Sequence, residues 1–221
     1  MLYFDNSVCK MTKSKVVENK ILNNKFRLIK FKLSCESWSF SPGQFVIIKI
    51  ANKIFRDYSI ASLPEQLPFW ETILDVTPNG PGCKYLSRLK PGDTIETSAP
   101  LGTFVLKNKK HGSFLLVATG SGIASIKPMA EELSKNKKNK IIFLWGLRFE
   151  EDIFYRELFE KNIVLSKPGK KWSGKTGHVT DHLVKADAAY LCGNQAMITD
   201  VTKTLIKMGM PKNKIYFEKY F

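Results

Sequence analysis

The chain has 221 residues, enough for one large domain or two of about 100 residues each. Apolar residues make up 43% and charged residues 25%, an ordinary globular balance that excludes a disordered chain, and no apolar run approaches the ~18 residues of a membrane span. The net charge of +15 comes from 35 Lys and Arg against 20 Asp and Glu. It is mostly lysine scattered through runs such as 107–110 and 135–140, not the arginine and interleaved aromatics of a nucleic-acid reader.

At the N-terminus, Asp5, Asn6, Lys10 and Lys13 interrupt any apolar signal core, so a cytoplasmic location is expected. Residues 1–14 precede the first clear apolar pattern and are taken as a peripheral extension, with Met11 an alternative start. From Val16 to Leu106 short strands alternate with turns. Phe26–Leu33 has the period of two expected of a half-buried strand. Ser41-Pro42-Gly43 leads into a strand over Gln44–Ala51, and further strands are predicted at Tyr58–Ala61, Trp70–Val76 and Thr94–Thr97, with a short helix at Lys84–Leu89. This pattern predicts an antiparallel barrel or sandwich. The cysteines, Cys9, Cys35, Cys83 and Cys192, form no C-x-x-C pair, so no zinc or iron–sulfur site is expected and the thiols are taken as reduced.

After His111-Gly112 the rhythm changes. Phe114–Ala118, Ile141–Trp145, Ile163–Leu165 and Ala188–Cys192 are uninterrupted apolar runs. Between and after them lie helical patterns at Ile126–Ser134, at Asp152–Phe159 with Asp152 as N-cap, and at Gln195–Met208. Buried strands alternating with helices predict a parallel sheet covered on both faces. The expected organisation is a barrel domain over 15–109 and an α/β domain over 110–221.

Four groups of residues carry chemistry. Thr119-Gly120-Ser121-Gly122 sits where the first parallel strand meets its helix, a place for backbone amides to hold a phosphate, although a glycine pair there also serves tight packing. Cys192-Gly193 ends a later strand of the same sheet, either as a thiol at the ligand edge or as a buried structural cysteine. In the barrel, Arg56 and Tyr58 share one strand face and Ser59 takes the other. An arginine fork suits a pyrophosphate and an aromatic ring covers a flat heterocycle; a surface Arg and a half-buried Tyr are the plain alternative. Asn79-Gly80-Pro81-Gly82-Cys83 offers a second phosphate cradle or an ordinary loop.

In order and spacing these groups resemble the ferredoxin-NADP reductase family, over about residues 15–221. Arg56-Asp57-Tyr58-Ser59 is similar to the family's R-x-Y-S. The resemblance implies that Arg56 holds the flavin pyrophosphate, Tyr58 packs on the isoalloxazine and Ser59 lies near its N5. Gly80-Pro81-Gly82-Cys83 matches G-x-x-S with Cys83 in place of a hydroxyl residue. Thr119–Ala124 resembles the G-T-G-x-x-P nicotinamide turn, with Ser125 where proline is usual. Cys192-Gly193 matches the pair that brings a thiol to the nicotinamide, and Glu218-Lys219-Tyr220-Phe221 resembles the E-x-Y-aromatic ending of bacterial members.

The implied cofactors are FAD and NADP(H), with NAD(H) the alternative. Arg148, Ser166, Lys167 and Lys175 match positions that grip a 2'-phosphate, while Glu150 and Glu151 lie close enough to favour NADH instead. The implied mechanism passes a hydride between NADPH and FAD, with Cys192 and Ser59 shaping the pocket and Glu218 relaying a proton. Electrons then go to a separate acidic carrier, a ferredoxin or flavodoxin, and the basic surface suits one. A monomer with no nucleic-acid partner is expected. Two other readings stand beside this one: a reductase that takes free flavin or another small molecule as substrate, and a non-catalytic nucleotide-binding module.

Overall fold

The computed structural model describes residues 11–34, 38–108 and 111–220. Six strands make the first sheet: β1 (Thr12–Ile21), β2 (Phe26–Leu33), β3 (Phe45–Ala51), β4 (Ile54–Ser59), β5 (Phe69–Asp75) and β6 (Thr94–Thr97). Their spatial order is β4-β3-β6-β1-β2-β5 and every pairing is antiparallel. The outer strands meet where the Ala61 amide donates to the Glu71 carbonyl at 2.7 Å and the Thr72 hydroxyl donates to the Ser59 carbonyl at 2.9 Å. This contact rolls the sheet into the expected barrel, and it fixes the backbone of Ser59.

Strand β1 starts at Thr12, inside the segment read as peripheral, with Thr12 opposite Thr97 and Ser14 opposite Leu33. The inward residue that hides this pattern is polar. Ser14 is fully buried, and its hydroxyl accepts a hydrogen bond from the Trp70 indole at 3.1 Å. A hydropathy pattern cannot register a buried serine satisfied from across the sheet. Residues 1–10 of that segment lie outside the described residues. The helix α1 (Pro81–Arg88) also begins three residues earlier than expected, with Pro81 at its first position, where the missing amide costs nothing.

The second sheet contains β7 (Ser113–Thr119), β8 (Lys140–Leu147), β9 (Ile163–Leu165), β10 (Lys175–Thr176), β11 (Ala188–Asn194) and β12 (Ile215–Tyr220). Its order is β10-β9-β8-β7-β11-β12, parallel throughout. Helices α2 (Ile123–Ser134) and α4 (Gln195–Lys207) follow β7 and β11. The helix expected over 152–159 does not form as one piece. A 3₁₀ turn spans Glu150–Asp152 and a single-turn helix α3 spans Arg156–Phe159, because Tyr155 between them has φ 55°. Packing overrides the local pattern here: Phe154 is buried against Trp145 (centroids 4.7 Å apart) and against Phe26 of the barrel (5.0 Å).

That Phe26–Phe154 contact belongs to one apolar core that runs through both halves. Phe26, Ala61, Ile73, Phe104 and Leu106 of the barrel side pack with Phe114, Leu116, Met129, Trp145 and Tyr190 of the sheet side. Polar contacts pin the seam, with the Lys107 amide donating to the Tyr190 hydroxyl at 2.9 Å. The shared core therefore sets the edge of the barrel at β4 against the carboxyl ends of the parallel strands.

Trp70 anchors the barrel: it is fully buried, stacked on Phe31 at 4.3 Å and tilted against Trp38 at 5.5 Å. Trp70→Ala is expected to lower unfolding free energy by ~3–5 kcal/mol, read by urea denaturation. A loss below ~1 kcal/mol would show that the barrel does not depend on this cluster.

Candidate active site

Strand β4 delivers all four residues of the Arg56–Ser59 tetrad to the lining of one cleft, and the pleat decides which way each points. Arg56 and Tyr58 lie together against α1: a Cβ added at Gly82 would strike the Tyr58 hydroxyl and come within 3.2 Å of Arg56 Cγ. Only a glycine permits that approach. Gly80 is the N-cap of α1 and no side chain caps this helix end, so the first amides stay available for an anion. The Arg56 guanidinium donates to its neighbour's carbonyl, that of Phe55, at 2.7 Å. Burial pushes the Tyr58 hydroxyl far above its usual range, so it stays protonated. The same loss of solvent raises Asp57, partly opposed by Arg56.

Cys83, which stands in place of a hydroxyl residue, has a partner of its own. Its thiol donates to the Asp75 carbonyl at 3.2 Å, tying the start of α1 to the end of β5. Arg56, Tyr58, Ser59 and Cys83 all line a cavity of about 480 Å³, together with Ser121, Glu218 and Tyr220 from the second half. Its size falls in the range of small-molecule sites. An uncapped helix end beside an arginine, a glycine that a side chain would block and a flanking tyrosine fit the pyrophosphate and ring of FAD.

On the far side of the seam, Thr119 ends β7 and a 3₁₀ turn over Gly120–Gly122 runs directly into α2. A Cβ on Gly122 would lie 2.7 Å from the Cys192 carbonyl carbon, so this glycine lets α2 sit against the end of β11. The Trp145 indole donates to the Gly120 carbonyl at 3.1 Å and holds the turn. Thr119 lines a second cavity of about 350 Å³, and its hydroxyl is buried beside Gly193 without a hydrogen-bond partner. An orphaned hydroxyl at a strand end with an uncapped glycine turn is what a nucleotide would satisfy.

Arg148 and Ser166 also line this second cavity. Lys167 and Lys175 do not: the Lys167 amide is used on the Arg148 carbonyl, and the Lys175 ammonium donates to the Lys161 carbonyl. Sequence reasoning missed Lys25, a barrel residue that reaches the same cavity and pairs with buried Asp152 at 3.8 Å. It also missed Asn194, which caps α4 by accepting from the Met197 amide at 2.9 Å, although an Asn before a helical pattern is a readable signal. Asp200 on α4 lines the cavity as well.

At the wall of the first cavity a polar cluster joins the halves. The Tyr220 hydroxyl donates to Ser59 Oγ at 2.5 Å, and Ser59 Oγ donates to Glu218 Oε2 at 3.4 Å. Ser125 Oγ donates to the same Glu218 oxygen at 3.0 Å, and the Cys192 thiol lies 4.0 Å from it. Register places Cys192 beside Glu218 and Asn194 beside Tyr220 on adjacent parallel strands. Burial raises the Glu218 carboxyl, with hydrogen bonds from Ser125 and Ser59 opposing it. Burial, then the Glu218 charge, pushes Cys192 so far up that it remains a neutral thiol. Phe221, the last residue of the expected aromatic ending, lies outside the described residues.

A phosphate cradle on the barrel, a second on the parallel sheet and a titratable cluster between them define an oxidoreductase that pairs a flavin with a nicotinamide nucleotide. Family models agree on both halves: an oxidoreductase FAD-binding domain matches residues 13–106 and an oxidoreductase NAD-binding domain matches 116–203. The chain belongs to the ferredoxin-NADP reductase family. It is 29% identical over 212 residues to ferredoxin–NADP reductase B of Sorangium cellulosum, covering 84% of this chain and 87% of that one. It is 26% identical over 230 residues to the reductase component of the Pseudomonas putida naphthalene 1,2-dioxygenase system, covering 96% and 70%. Its fold superposes with a TM-score of 0.82 on a ferredoxin NADP+ reductase from Neisseria gonorrhoeae with bound FAD and NADP, at 22% identity and covering 96% and 99%. FAD and a nicotinamide nucleotide are its cofactors.

Gly82→Ala tests the flavin cradle. The variant is expected to fold but to retain at least roughly tenfold less FAD after dialysis, read from the visible-to-ultraviolet absorbance ratio, because Tyr58 must move. Undiminished FAD content would place the flavin elsewhere.

Proposed function

We propose that this chain takes electrons from NADPH and hands them to a separate acidic electron-carrier protein, a ferredoxin or flavodoxin. The observation that carries the reading is the hydrogen-bonded meeting of Ser59 with Glu218 and Tyr220, which joins the flavin side of the barrel to the carboxyl end of the parallel sheet. Bound FAD supplies the exchange between two-electron and one-electron chemistry, which no side chain here can perform.

The residues around it bind, orient and manage a proton. Arg56 and the first amides of α1 hold the pyrophosphate, and Tyr58 covers the ring. The Thr119–Gly122 turn seats the nucleotide, giving the Thr119 hydroxyl its missing partner. Cys192, a neutral thiol, shapes the nicotinamide pocket and does not act as a nucleophile. Glu218, made basic by burial, takes and returns a proton at Oε2 beside Ser59. Preorganised geometry is the main contribution of the protein.

NADPH is favoured over NADH because Arg148, Ser166 and Lys25 line the nucleotide cavity, and because Glu150 is engaged by the Gly169 amide at 3.1 Å. Lys167 and Lys175 have no part in this grip. The carrier assignment is supported by the net charge of +15 and by the names of the relatives, which include ferredoxin reductases. No helix among the described residues is long and apolar enough to cross a membrane. The cytoplasmic placement and the monomeric state rest on the sequence reading.

Both finer assignments are tested on FAD-loaded protein. Arg148→Ala is expected to cut the NADPH-to-NADH ratio of kcat/KM by roughly tenfold or more, since a hydrogen bond to a charged group is lost. An unchanged ratio would remove Arg148 from the 2'-phosphate. Reduction of an acidic ferredoxin is expected to slow by at least about tenfold as salt is raised from low to high. A rate indifferent to salt would contradict charge-steered docking.

A further inference from the structure

Ser125 stands where the family's turn usually has proline, and it is fully buried in the first turn of α2. A proline there would carry no hydroxyl. This serine places one 3.0 Å from Glu218 Oε2 and 3.2 Å from the Tyr220 hydroxyl, the two polar groups that β12 presents to the seam. Both of those groups also touch Ser59. Four side chains from α2, β12 and β4 thus make a ring: Glu218, Ser125, Tyr220, Ser59.

Donor and acceptor counting shows what the fourth member adds. With Glu218 ionised, Ser125 and Ser59 each donate to Oε2 and Tyr220 donates to Ser59, so the charge receives two hydrogen bonds. With Glu218 protonated at Oε2, the new O–H donates to Ser125, Ser125 donates to Tyr220, Tyr220 donates to Ser59, and Ser59 donates back to Glu218. Every hydroxyl donates in both states, and the states differ by one proton on Glu218 and the turn of the Ser125 hydroxyl from Glu218 to Tyr220. Without the Ser125 hydroxyl, the ionised state loses one of its two donors and the protonated state loses its acceptor and its link to Tyr220.

We propose that Ser125 is a positioning residue for proton transfer at Glu218: its hydroxyl holds the carboxyl in both protonation states and couples it to Tyr220 and Ser59. This rests on the reading of Glu218 as the proton-handling group of the reductase. The groups facing Glu218 are Asp57 and Ser59 from β4, Cys192 from β11, Ser125 from α2 and Tyr220 from its own strand. Lys219, the intervening cation, lies over the Phe217 ring at 5.4 Å. No ion pair to Glu218 is found among the described residues. Its proton affinity is raised by burial and by the Asp57 charge and lowered by the hydroxyl donors; removing Ser125 raises it further, because the charge-assisted bond lost from the carboxylate is stronger than the neutral bond lost from the acid.

The test is an infrared titration of the FAD-loaded protein in the absence of nicotinamide, with the Glu218 carboxyl band identified as the one lost in Glu218→Gln. Ser125→Ala is expected to raise the proton affinity of Glu218 on the order of tenfold, and Ser125→Thr, which keeps the hydroxyl, to leave it within about threefold of wild type. In turnover the pH limb of kcat that Glu218→Gln abolishes moves to higher pH in the alanine variant, with KM for NADPH changed less than about twofold. If the alanine variant does not load FAD, Ser125→Gly is read in the same way. A Glu218 titration identical in wild type and the hydroxyl-free variant overturns the proposal, as does a threonine variant shifted as far as alanine. A shifted titration in a protein that does not oxidise NADPH leaves Ser125 as the positioner of Glu218 and overturns the reductase reading instead.

Discussion

The contact between Ser59 on the barrel and the Glu218–Tyr220 strand end is the constraint on which the site depends. Ser59 is held from one side by barrel closure, through the Thr72 hydroxyl on its carbonyl. Tyr220 and Glu218 are held from the other by the parallel register of β11 and β12. Neither domain could place these groups within hydrogen-bonding distance alone. The apolar core that runs from Phe26 and Phe104 to Trp145 and Tyr190 makes the two halves one body at this point. A shift of about 1 Å along the seam would separate the hydroxyl chain, and misplacement of that size is costly in catalysis.

The electrostatic character of the site follows from the same burial. Among the described residues no cation pairs with the partly buried Glu218 carboxyl; burial raises its proton affinity and the hydroxyl donors oppose the rise. The neighbouring thiol and phenol are pushed the same way and stay protonated. The seam is thus a hydroxyl-rich partition around one carboxyl group, set between the two ends proposed to bind the cofactors' phosphates. One end has Arg56 and the amides of α1; the other has the Gly120–Gly122 turn with Arg148 and Lys25. Negative groups are drawn to the ends, and the partition between them suits transfer of a hydride and a proton.

Much of this was legible in the sequence because each phosphate-facing feature is local. Strand pleat places Arg56 and Tyr58 on one face, and a glycine turn after an apolar run marks the entry of α2. The uninterrupted runs of β7, β8 and β11 announce a parallel sheet. What stayed hidden depends on contacts between distant segments. Ser14 in β1 reads as surface until Trp70 is set across from it. The helix expected from Asp152 is broken because Phe154 finds Trp145 and Phe26. Lys25 joins the nucleotide cavity only through the packing of the barrel on the sheet. Ser125 was visible as a departure from the family's turn, but its purpose appears only when β12 lies beside it. Lys167 and Lys175 are not among the residues lining the second cavity, and the Lys175 ammonium donates instead to the Lys161 carbonyl.

The central claim is that the two cavities meet closely enough for direct transfer between a nicotinamide and a flavin. Anaerobic mixing of the FAD-loaded protein with NADPH, followed in the visible flavin band, tests it most directly. Bleaching is expected in step with NADPH oxidised, and slowed by deuterium at the transferred position of the nicotinamide. A protein that binds FAD yet keeps its visible spectrum unchanged with both NADPH and NADH would contradict it.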